Sequence, residues 1–320
     1  MTAESGLIVN IQRLSTEDGP GIRSTVFFKA CSLSCRWCQN PEAISARPEV
    51  QWFHARCLWC GTCVASCPDG AITADESGVT IDRERCNGCG ACSSRCPANA
   101  LETVGKRVNV RQLTEDLTKD RAFYEQSGGG VTLSGGEPLA QPDFAANLVG
   151  NLRKAGMDTA LDTCGMAAPA AIARLLPDVS LVLYDFKLID PVRHLAFTGQ
   201  SNELVLENFA SVVEAARRRA GKLSVWVRTP LVPGATATAE NLSGIGRYLA
   251  DTALGAVERW ELCAFNNLCR DKYRRLGKSW EYSETPLMSG AELDELAEYA
   301  RASGVDPRIV SVTGAARSSG

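Results

Sequence analysis

Short apolar segments recur along most of the chain, and each is followed by a polar or glycine-containing stretch. The segments are rich in Val, Leu, Ile and aromatic residues, which is typical of buried parallel strands. Six are predicted to be strands: residues 24–28, 131–134, 159–163, 181–186, 223–229 and 260–265. Helical patterns lie between them. The sequence therefore predicts an α/β protein whose parallel sheet is closed or nearly closed into a barrel.

Two of the intervening helices have recognisable ends. Pro142 suits a first helical turn, apolar residues follow at four-residue spacing, and Gly156 ends the pattern. Near the C-terminus, Ser289 and Glu292 match a capping box before an apolar run that stops at Gly304. Both patterns predict amphipathic helices packed on the sheet.

A cysteine- and glycine-dense stretch interrupts this alternation and is predicted to be an inserted module. It contains two runs of the form C-x-x-C-x-x-C-x-x-x-C-P, at residues 57–68 and 86–97. This spacing is typical of bacterial ferredoxins, in which the fourth cysteine of each run binds the other of two 4Fe–4S clusters. Zinc also binds paired thiolates, but it does not need four cysteines and a trailing proline twice over. We therefore assign to one cluster Cys57, Cys60, Cys63 and Cys96, and to the other Cys86, Cys89, Cys92 and Cys67.

A third cysteine motif lies ahead of this module. Cys31, Cys35 and Cys38 have the spacing CxxxCxxC, and Trp37 precedes the last of them. Three thiolates are one fewer than a 4Fe–4S cluster needs, and the open iron indicates a site for chemistry rather than for structure. Three other cysteines lack ligand spacing and are expected to pack as small buried hydrophobes: Cys164, Cys263 and Cys269.

Composition narrows the class of protein. The chain has 320 residues, a formal net charge of −3 and 14 cysteines. The sequence has no long basic run that would indicate nucleic-acid binding, and it has no apolar run long enough to cross a membrane. The N-terminus lacks the pattern of a signal peptide, so we expect a cytoplasmic protein, and a disulfide scaffold is not expected.

Polar groups follow the predicted strands at their carboxyl ends. The sequence SGGEP follows the second strand, Asp162 ends the third, and Asp185 and Lys187 end the fourth. Charges at this edge of a barrel are typical of a functional site. The alternatives are an ordinary glycine turn at SGGEP and a surface ion pair between Asp185 and Lys187.

The run DGPGIRSTVFFKACSLSCRWC, with SGGGVTLSGGEP downstream, resembles the glycyl radical enzyme activating enzymes of the radical S-adenosylmethionine (SAM) superfamily. The resemblance extends from Asp18 past Tyr273. It implies a partial (β/α)6 radical SAM barrel with an inserted bacterial ferredoxin-like domain. The predicted division is residues 1–51 and 105–320 for the barrel and 52–104 for the insertion.

The resemblance also implies an activity. Such an enzyme reductively cleaves SAM to a 5′-deoxyadenosyl radical and installs a glycyl radical on a partner glycyl radical enzyme, under anaerobic conditions. It implies three 4Fe–4S clusters, one that binds SAM and two of ferredoxin type, and a monovalent cation. A flavodoxin or ferredoxin-type protein would donate the electrons.

By resemblance, residues at the strand ends would bind SAM together with the three-cysteine motif. They are Trp37, Gly135, Gly136, Glu137, Asp162, Thr163, Asp185, Lys187 and Asn266. The run Gly135–Glu137 would hold the amino group of the methionine moiety. Asp162, Thr163 and Asp185 also match a monovalent-cation site.

Asp18 and Arg23 lie outside the strand-end and cysteine motifs described above, and Asn266 departs from the family pattern. Asp18 and Arg23, in the DGPGIR run, would lie near the incoming glycyl loop and are assigned to the catalytic set with the three cysteines. Asn266 stands where the family often has a histidine. An asparagine can donate and accept near an adenosine, but it cannot carry a proton.

Two other hypotheses stay open at this point. A different radical SAM enzyme, such as a sulfatase-type maturase or a small-molecule mutase, could carry extra clusters but would lack the DGPGIR run. An electron carrier would use only the ferredoxin-type module, leaving the barrel without a purpose. Iron content separates the carrier from the enzymes, because a carrier needs about eight irons and a three-cluster enzyme about twelve. A glycyl radical signal on a partner protein separates the activating enzyme from other radical SAM enzymes.

Overall fold

The alternating apolar segments form one large sheet with helices along the chain between its strands. The structure, a computed structural model, describes residues 4–76, 78–253 and 255–317. The strands are β1 (Ser5–Ser15), β2 (Arg23–Phe28), β3 (Glu49–Trp52), β4 (Ile72–Asp75), β5 (Gly78–Ile81), β6 (Leu101–Val104), β7 (Lys106–Asn109), β8 (Gly130–Gly135), β9 (Thr159–Thr163), β10 (Leu181–Asp185), β11 (Ser224–Leu231), β12 (Arg259–Ala264) and β13 (Val310–Thr313).

The helices fall mainly between the parallel strands. They are α1 (Thr62–Ser66), α2 (Ala91–Ser94), α3 (Val110–Leu117), α4 (Arg121–Ser127), α5 (Pro142–Lys154), α6 (Pro169–Leu175), α7 (Pro191–Thr198), α8 (Glu203–Arg218), α9 (Ala239–Ala253), α10 (Arg270–Arg275) and α11 (Gly290–Arg301). Within the described ranges, none of them has the length and apolar character needed to span a membrane.

The large sheet has the strand order β13-β12-β11-β10-β9-β8-β2-β1-β7. Neighbours from β2 through β13 are parallel, and β1 is antiparallel to both β2 and β7. All six predicted strands are therefore confirmed. The sequence interpretation missed β13, which adds a seventh parallel strand beside β12, and the antiparallel strands β1 and β7.

Two predicted helices are confirmed at their N-terminal ends, and they end at Lys154 and Arg301, shortly before the glycines expected to stop them. Pro142 opens α5, and Leu148 and Leu152 on this helix are fully buried. Ser289 and Glu292 form the capping box of α11, with each side chain bonded to the backbone of the other residue. These helices bury their apolar faces in the main core, in which the central strands are also buried.

The cysteine-dense stretch, which lies between β2 and β7 in the sequence, forms a small separate layer. Its ends pair as antiparallel strands β3 and β6, with Glu49 opposite Val104, and β4 pairs with β5. A hydrophobic cluster of its own includes Val50, Ile72 and Leu101. The core of this layer is thus distinct from the core of the large sheet.

Candidate active site

The three-cysteine loop (residues 31–38) begins directly after β2, at the carboxyl edge of the parallel strands. Ala30 precedes it with φ of +83°, a backbone conformation that costs about 1–3 kcal/mol for a residue other than glycine. Three backbone bonds hold this position: Ala30 N–H donates to Ala43 O at 2.8 Å, Glu137 N–H to Ala30 O at 2.8 Å, and Cys31 N–H to Ile44 O at 3.1 Å. The start of the loop is therefore fixed by its neighbours.

The end of the three-cysteine loop is held by residues 266–283, which we call the clamp segment. The Tyr273 hydroxyl donates to Cys38 O at 2.9 Å, and Trp280 Nε1 donates to Arg36 O at 3.0 Å. The rings of Tyr273 and Trp280 stack at 5.1 Å. Gln39 Nε2 also donates to the backbone oxygen of Asn266 at 3.1 Å. The clamp segment thus anchors the loop through its main chain.

The middle of the loop is held by the end of α7. Ser34 N–H donates to Thr198 O at 2.8 Å. His194 is buried beneath this contact, with Nδ1 at 2.7 Å from Gln200 O and 3.1 Å from the Thr198 hydroxyl. Burial lowers the pKa of His194, because the charged ring would lose its water. The neutral imidazole is therefore part of the loop's support.

A cavity of about 330 Å³ opens between this loop and the strand ends. Ten predicted site residues line it: Cys31, Cys35, Trp37, Cys38, Gly135, Gly136, Asp162, Thr163, Asp185 and Lys187. They come from the loop, from the ends of β8 and β9, and from the end of β10 and the residues that follow it. The structure thus brings together groups that are far apart in sequence.

Gly135 lets β8 pass close to β2 at the cavity wall. Its φ is +107°, and a Cβ atom there would lie 2.4 Å from the backbone nitrogen of Phe28. The next residue donates its N–H to Phe28 O at 2.9 Å. Only glycine combines this backbone conformation with this close approach.

Opposite charges face one another on the cavity wall. Lys187 Nζ lies 2.6 Å from Asp185 Oδ2, and the Ser134 hydroxyl donates to Asp162 Oδ2 at 2.5 Å. Burial, followed by repulsion from Asp185, raises the pKa of Asp162 to about 7. Burial opposes the charge on Lys187, but the carboxylate of Asp185 together with the nearby thiolates of Cys35 and Cys164 outweighs it and raises the lysine pKa. Arg228 Nη1 lies 3.8 Å from Asp162 Oδ1. The wall therefore offers carboxylates and cationic groups side by side.

The thiols of the loop lie in a poorly solvated setting. Burial raises the pKa of Cys35 to about 11 and that of Cys38 still further. The neighbouring Cys164 side chain lowers the pKa of Cys31. Buried thiolates need a positive centre to offset their lost solvation, and iron supplies one. Three such thiols around one cavity fit an iron–sulfur cluster with an open position.

Glu137 lies behind the cavity wall and not on it. Its side chain is fully buried, and its carboxylate accepts from the Thr163 hydroxyl at 2.8 and 2.9 Å, from Cys164 N–H at 2.9 Å and from Leu139 N–H at 2.9 Å. The Cys164 thiol donates to the same carboxylate at 3.0 Å. Glu137 therefore holds the ends of two strands together.

Asp18 and Arg23 also lie away from the cavity lining. Arg23 is fully buried at the start of β2, the opposite end from the three-cysteine loop, and its Nε donates to the Thr132 hydroxyl at 2.7 Å. Asp18 Oδ2 accepts from the hydroxyls of Ser15 and Thr25, each at 2.6 Å. Both residues therefore make these hydrogen bonds with side chains of β1, β2 and β8 and not with groups on the cavity wall.

Asn266 lies in the clamp segment and is not on the cavity wall either. Its Oδ1 accepts from Leu268 N–H at 3.2 Å, and its backbone oxygen contacts Gln39. One hydrogen bond, from the Gln39 side chain to the backbone oxygen of Asn266, thus connects this residue with the end of the three-cysteine loop.

Several residues on the cavity wall were not assigned to the site from the sequence. Cys164 and Cys263 line the cavity, as do Arg228 and Pro230. The expectation that Cys164 and Cys269 are buried is confirmed, whereas Cys263 is half-buried. The position of Cys164 two residues after Asp162, at the same strand end, is the pattern that could have placed it here.

Two further cysteine-lined cavities lie in the small separate layer formed by the cysteine-dense stretch. The first module cavity is lined by Cys57, Cys60, Cys63 and Cys96. The second module cavity is lined by Cys67, Cys86, Cys89 and Cys92. Each therefore takes three cysteines from one run and one from the other, and four thiols fit a fully ligated 4Fe–4S cluster. Among the described residues, no three or more His, Cys, Asp or Glu side chains lie close enough together to hold a single metal ion.

Comparison with known proteins gives matches to both parts of the chain. A sequence profile described as a 4Fe-4S dicluster domain matches residues 56–100, and one described as a 4Fe-4S single cluster domain matches residues 82–172. SuiB from Streptococcus suis, in its structure bound to the precursor peptide SuiA, is similar in fold. Its TM-score is 0.51 at 11% identity, over 89% of this chain and 46% of that one.

Curated relatives match over nearly the full length. Trans-4-hydroxy-L-proline dehydratase activating enzyme from Clostridioides difficile is 41% identical over 306 residues, which is 95% of this chain and 98% of that protein. Choline trimethylamine-lyase activating enzyme from Oleidesulfovibrio alaskensis is 38% identical over 302 residues, 92% of this chain and 95% of that protein. Such coverage includes the large sheet as well as the cysteine-dense stretch, so neither an electron carrier nor another kind of radical SAM enzyme is favoured. The chain belongs to the glycyl radical enzyme activating enzymes of the radical SAM superfamily.

Proposed function

We propose that this protein activates a glycyl radical enzyme by installing a radical on one of its glycines. When bound, the cluster and SAM supply the chemistry: one-electron reduction of the sulfonium gives methionine and a 5′-deoxyadenosyl radical, which takes a hydrogen atom from a glycine Cα. The observation that carries the proposal is the cavity at which Cys31, Cys35 and Cys38 meet the polar strand ends. Full-length similarity to named activating enzymes supports it.

The three-cysteine loop would hold the SAM-binding cluster, and the strand ends would orient SAM. Gly135 and Gly136 would present backbone groups to the methionine moiety, and Trp37 would pack beside it. Asp185 and Lys187, paired at 2.6 Å, would contact the zwitterionic end. Glu137 would act from behind the wall by fixing the neighbouring strand end.

A monovalent cation would bind near Asp162, Thr163 and Asp185. Two carboxylates and a hydroxyl are the oxygen ligands that hard cations prefer. The proximity of the two carboxylates, which helps to raise the pKa of Asp162, supports this assignment because a cation would relieve their repulsion.

The inserted residues 52–104 would carry two ferredoxin-type clusters within a partial (β/α)6 barrel formed by residues 1–51 and 105–320. The two four-cysteine cavities and the separate hydrophobic cluster support this division. The enzyme would therefore contain three 4Fe–4S clusters and receive electrons from a flavodoxin or ferredoxin-type donor.

The remaining site residues would act near the partner or the adenosine. Asp18 and Arg23 would shape the barrel beneath the incoming glycyl loop, because their bonds fix the β1–β2 connection and the start of β2. Asn266 would lie near the adenosine at the edge of the three-cysteine loop.

Anaerobic reconstitution tests the proposed function directly. The protein, SAM, dithionite and a candidate glycyl radical enzyme are expected to give a glycyl radical doublet in electron paramagnetic resonance (EPR). About twelve irons per chain are expected, and about eight after joint replacement of Cys31, Cys35 and Cys38 by alanine. SAM cleavage with only small-molecule substrates, and with no doublet on any partner, would overturn the proposal.

A further inference from the structure

Arg83 joins the inserted layer to the clamp segment. It lies three residues before Cys86, in a turn where Cys86 N–H donates to Asp82 O at 2.9 Å. Its Nη1 donates to Val50 O at 2.5 Å, inside the layer, and its Nη2 donates to Leu276 O at 2.8 Å, in the clamp segment. One guanidinium therefore fixes the spacing between the two parts.

The contact continues from Leu276 to the three-cysteine loop. Leu276 N–H donates to Tyr273 O at 3.0 Å, at the end of α10, and the Tyr273 hydroxyl donates to Cys38 O at 2.9 Å. Hydrogen bonds and short stretches of chain thus connect Cys86, on the wall of the second module cavity, with Cys38. No group in this connection is assigned to SAM or to cluster binding except the two cysteines at its ends.

The two module cavities differ in what surrounds them. Beside the second, Gly88 packs against the chain leading into β3, where an added Cβ would lie 2.2 Å from Pro48 O. The walls of the first include Leu58 and Trp59, which are 67% and 49% exposed. The second module cavity therefore lies beside the chain that runs from the three-cysteine loop into β3, and the first has an exposed wall.

We infer that Arg83 is a positioning residue that holds the second module cavity against the active-site loop, so that its cluster is the immediate electron donor to the SAM-binding cluster. This inference rests on the proposed function. One electron leaves the cluster bound by Cys67, Cys86, Cys89 and Cys92 and reduces the cluster of the three-cysteine loop. A reduced flavodoxin- or ferredoxin-class protein then replaces that electron in the module.

The test compares two reductants in the reconstituted holoenzyme. Arg83→Met keeps an unbranched apolar stem and removes both hydrogen bonds. Arg85→Met is the matched control, because Arg85 is exposed and bonds to Asp69 O within the module. Freeze-quench EPR follows the SAM-dependent signal of the reduced active-site cluster, first with reduced flavodoxin and then with dithionite, which is small enough to act directly.

With flavodoxin, Arg83→Met is expected to accumulate the reduced active-site signal several-fold more slowly than the wild type, while Arg85→Met matches it. With dithionite, all three proteins are expected to accumulate it equally. Equal flavodoxin rates for Arg83→Met and the wild type would overturn the inference, as would an equal loss with both reductants. A wild type that cleaves no SAM even with dithionite would instead refute the proposed function.

If Arg83→Met lost iron from the cysteine-dense layer, its slower reduction would not report on positioning, and a second variant would then test the inference. Tyr273→Phe keeps the ring stacked on Trp280 and removes only the hydroxyl that reaches Cys38. The ratio of its flavodoxin-driven rate to its dithionite-driven rate is expected to fall several-fold. An unchanged ratio would overturn the inference.

Discussion

Glu137→Gln tests whether this carboxylate supports the cavity wall from behind. The carboxylate accepts hydrogen bonds at both oxygens: from Leu139 and Thr163 at Oε1, and from Thr163 and Cys164 at Oε2. A glutamine keeps one oxygen and places an amide group where the other stood. In either orientation one backbone N–H, of Leu139 or of Cys164, then faces a donor. An unsatisfied buried donor costs about 1–3 kcal/mol, so we expect a loss of that size in the free energy of unfolding.

The assay is anaerobic thermal unfolding of the reconstituted protein, combined with calorimetric titration of SAM. Glu207→Gln makes the same chemical change on the exposed face of α8, where substitutions usually change stability by less than about 0.5 kcal/mol. Glu137→Gln is expected to unfold at a lower temperature than this control. If it were as stable as the control and yet lost SAM affinity, Glu137 would contact SAM directly and the structural argument would be refuted.

Three other predictions follow from the same geometry. Gly135→Ala forces a Cβ against the neighbouring strand, so it should lower the unfolding temperature more than Gly128→Ala, where the added Cβ meets open space. Burial lowers the pKa of His194, so the unfolded chain binds the extra proton more readily and stability falls as pH drops below the ordinary histidine value. From about pH 7.5 to about pH 5.5, anaerobic thermal unfolding should show a smaller loss for His194→Gln than for the wild type, and equal losses would contradict this. Because Cys67 and Cys86 line one cavity, Cys67→Ala and Cys86→Ala should alter the same EPR signal of the reduced module, and separate signals would exclude a shared cluster.

Six of the seven parallel strands could be predicted from the sequence because each is short, rich in apolar residues and bounded by polar residues. The sequence interpretation missed β13 because Val310–Thr313 is short and only partly buried, so its apolar pattern is weak. It also missed β1, whose first four residues (5–8) are mostly buried and pair with β7, while the rest of the strand is mostly exposed and polar. Both strands depend on partners that are distant in sequence.

The grouping of eight cysteines around two cavities could be predicted from the sequence, because ligand spacing is a local property of each run. The position of Glu137 could not, since its direction depends on donors at the end of β9. The same holds for Arg23, which is close to the three-cysteine loop in sequence but lies at the far end of β2. Residues that are close in sequence can thus lie at opposite ends of one strand.

The antiparallel pairing of β3 with β6 places the beginning and the end of the cysteine-dense stretch side by side, with Trp52 opposite Leu101. A segment whose termini are adjacent can be gained or lost without changing the path of the chain on either side. A chain without this layer could therefore gain it in a single genetic event without any change to the large sheet. Replacing residues 53–100 with a short turn would join β3 to β6 and leave the strands of the large sheet where they are.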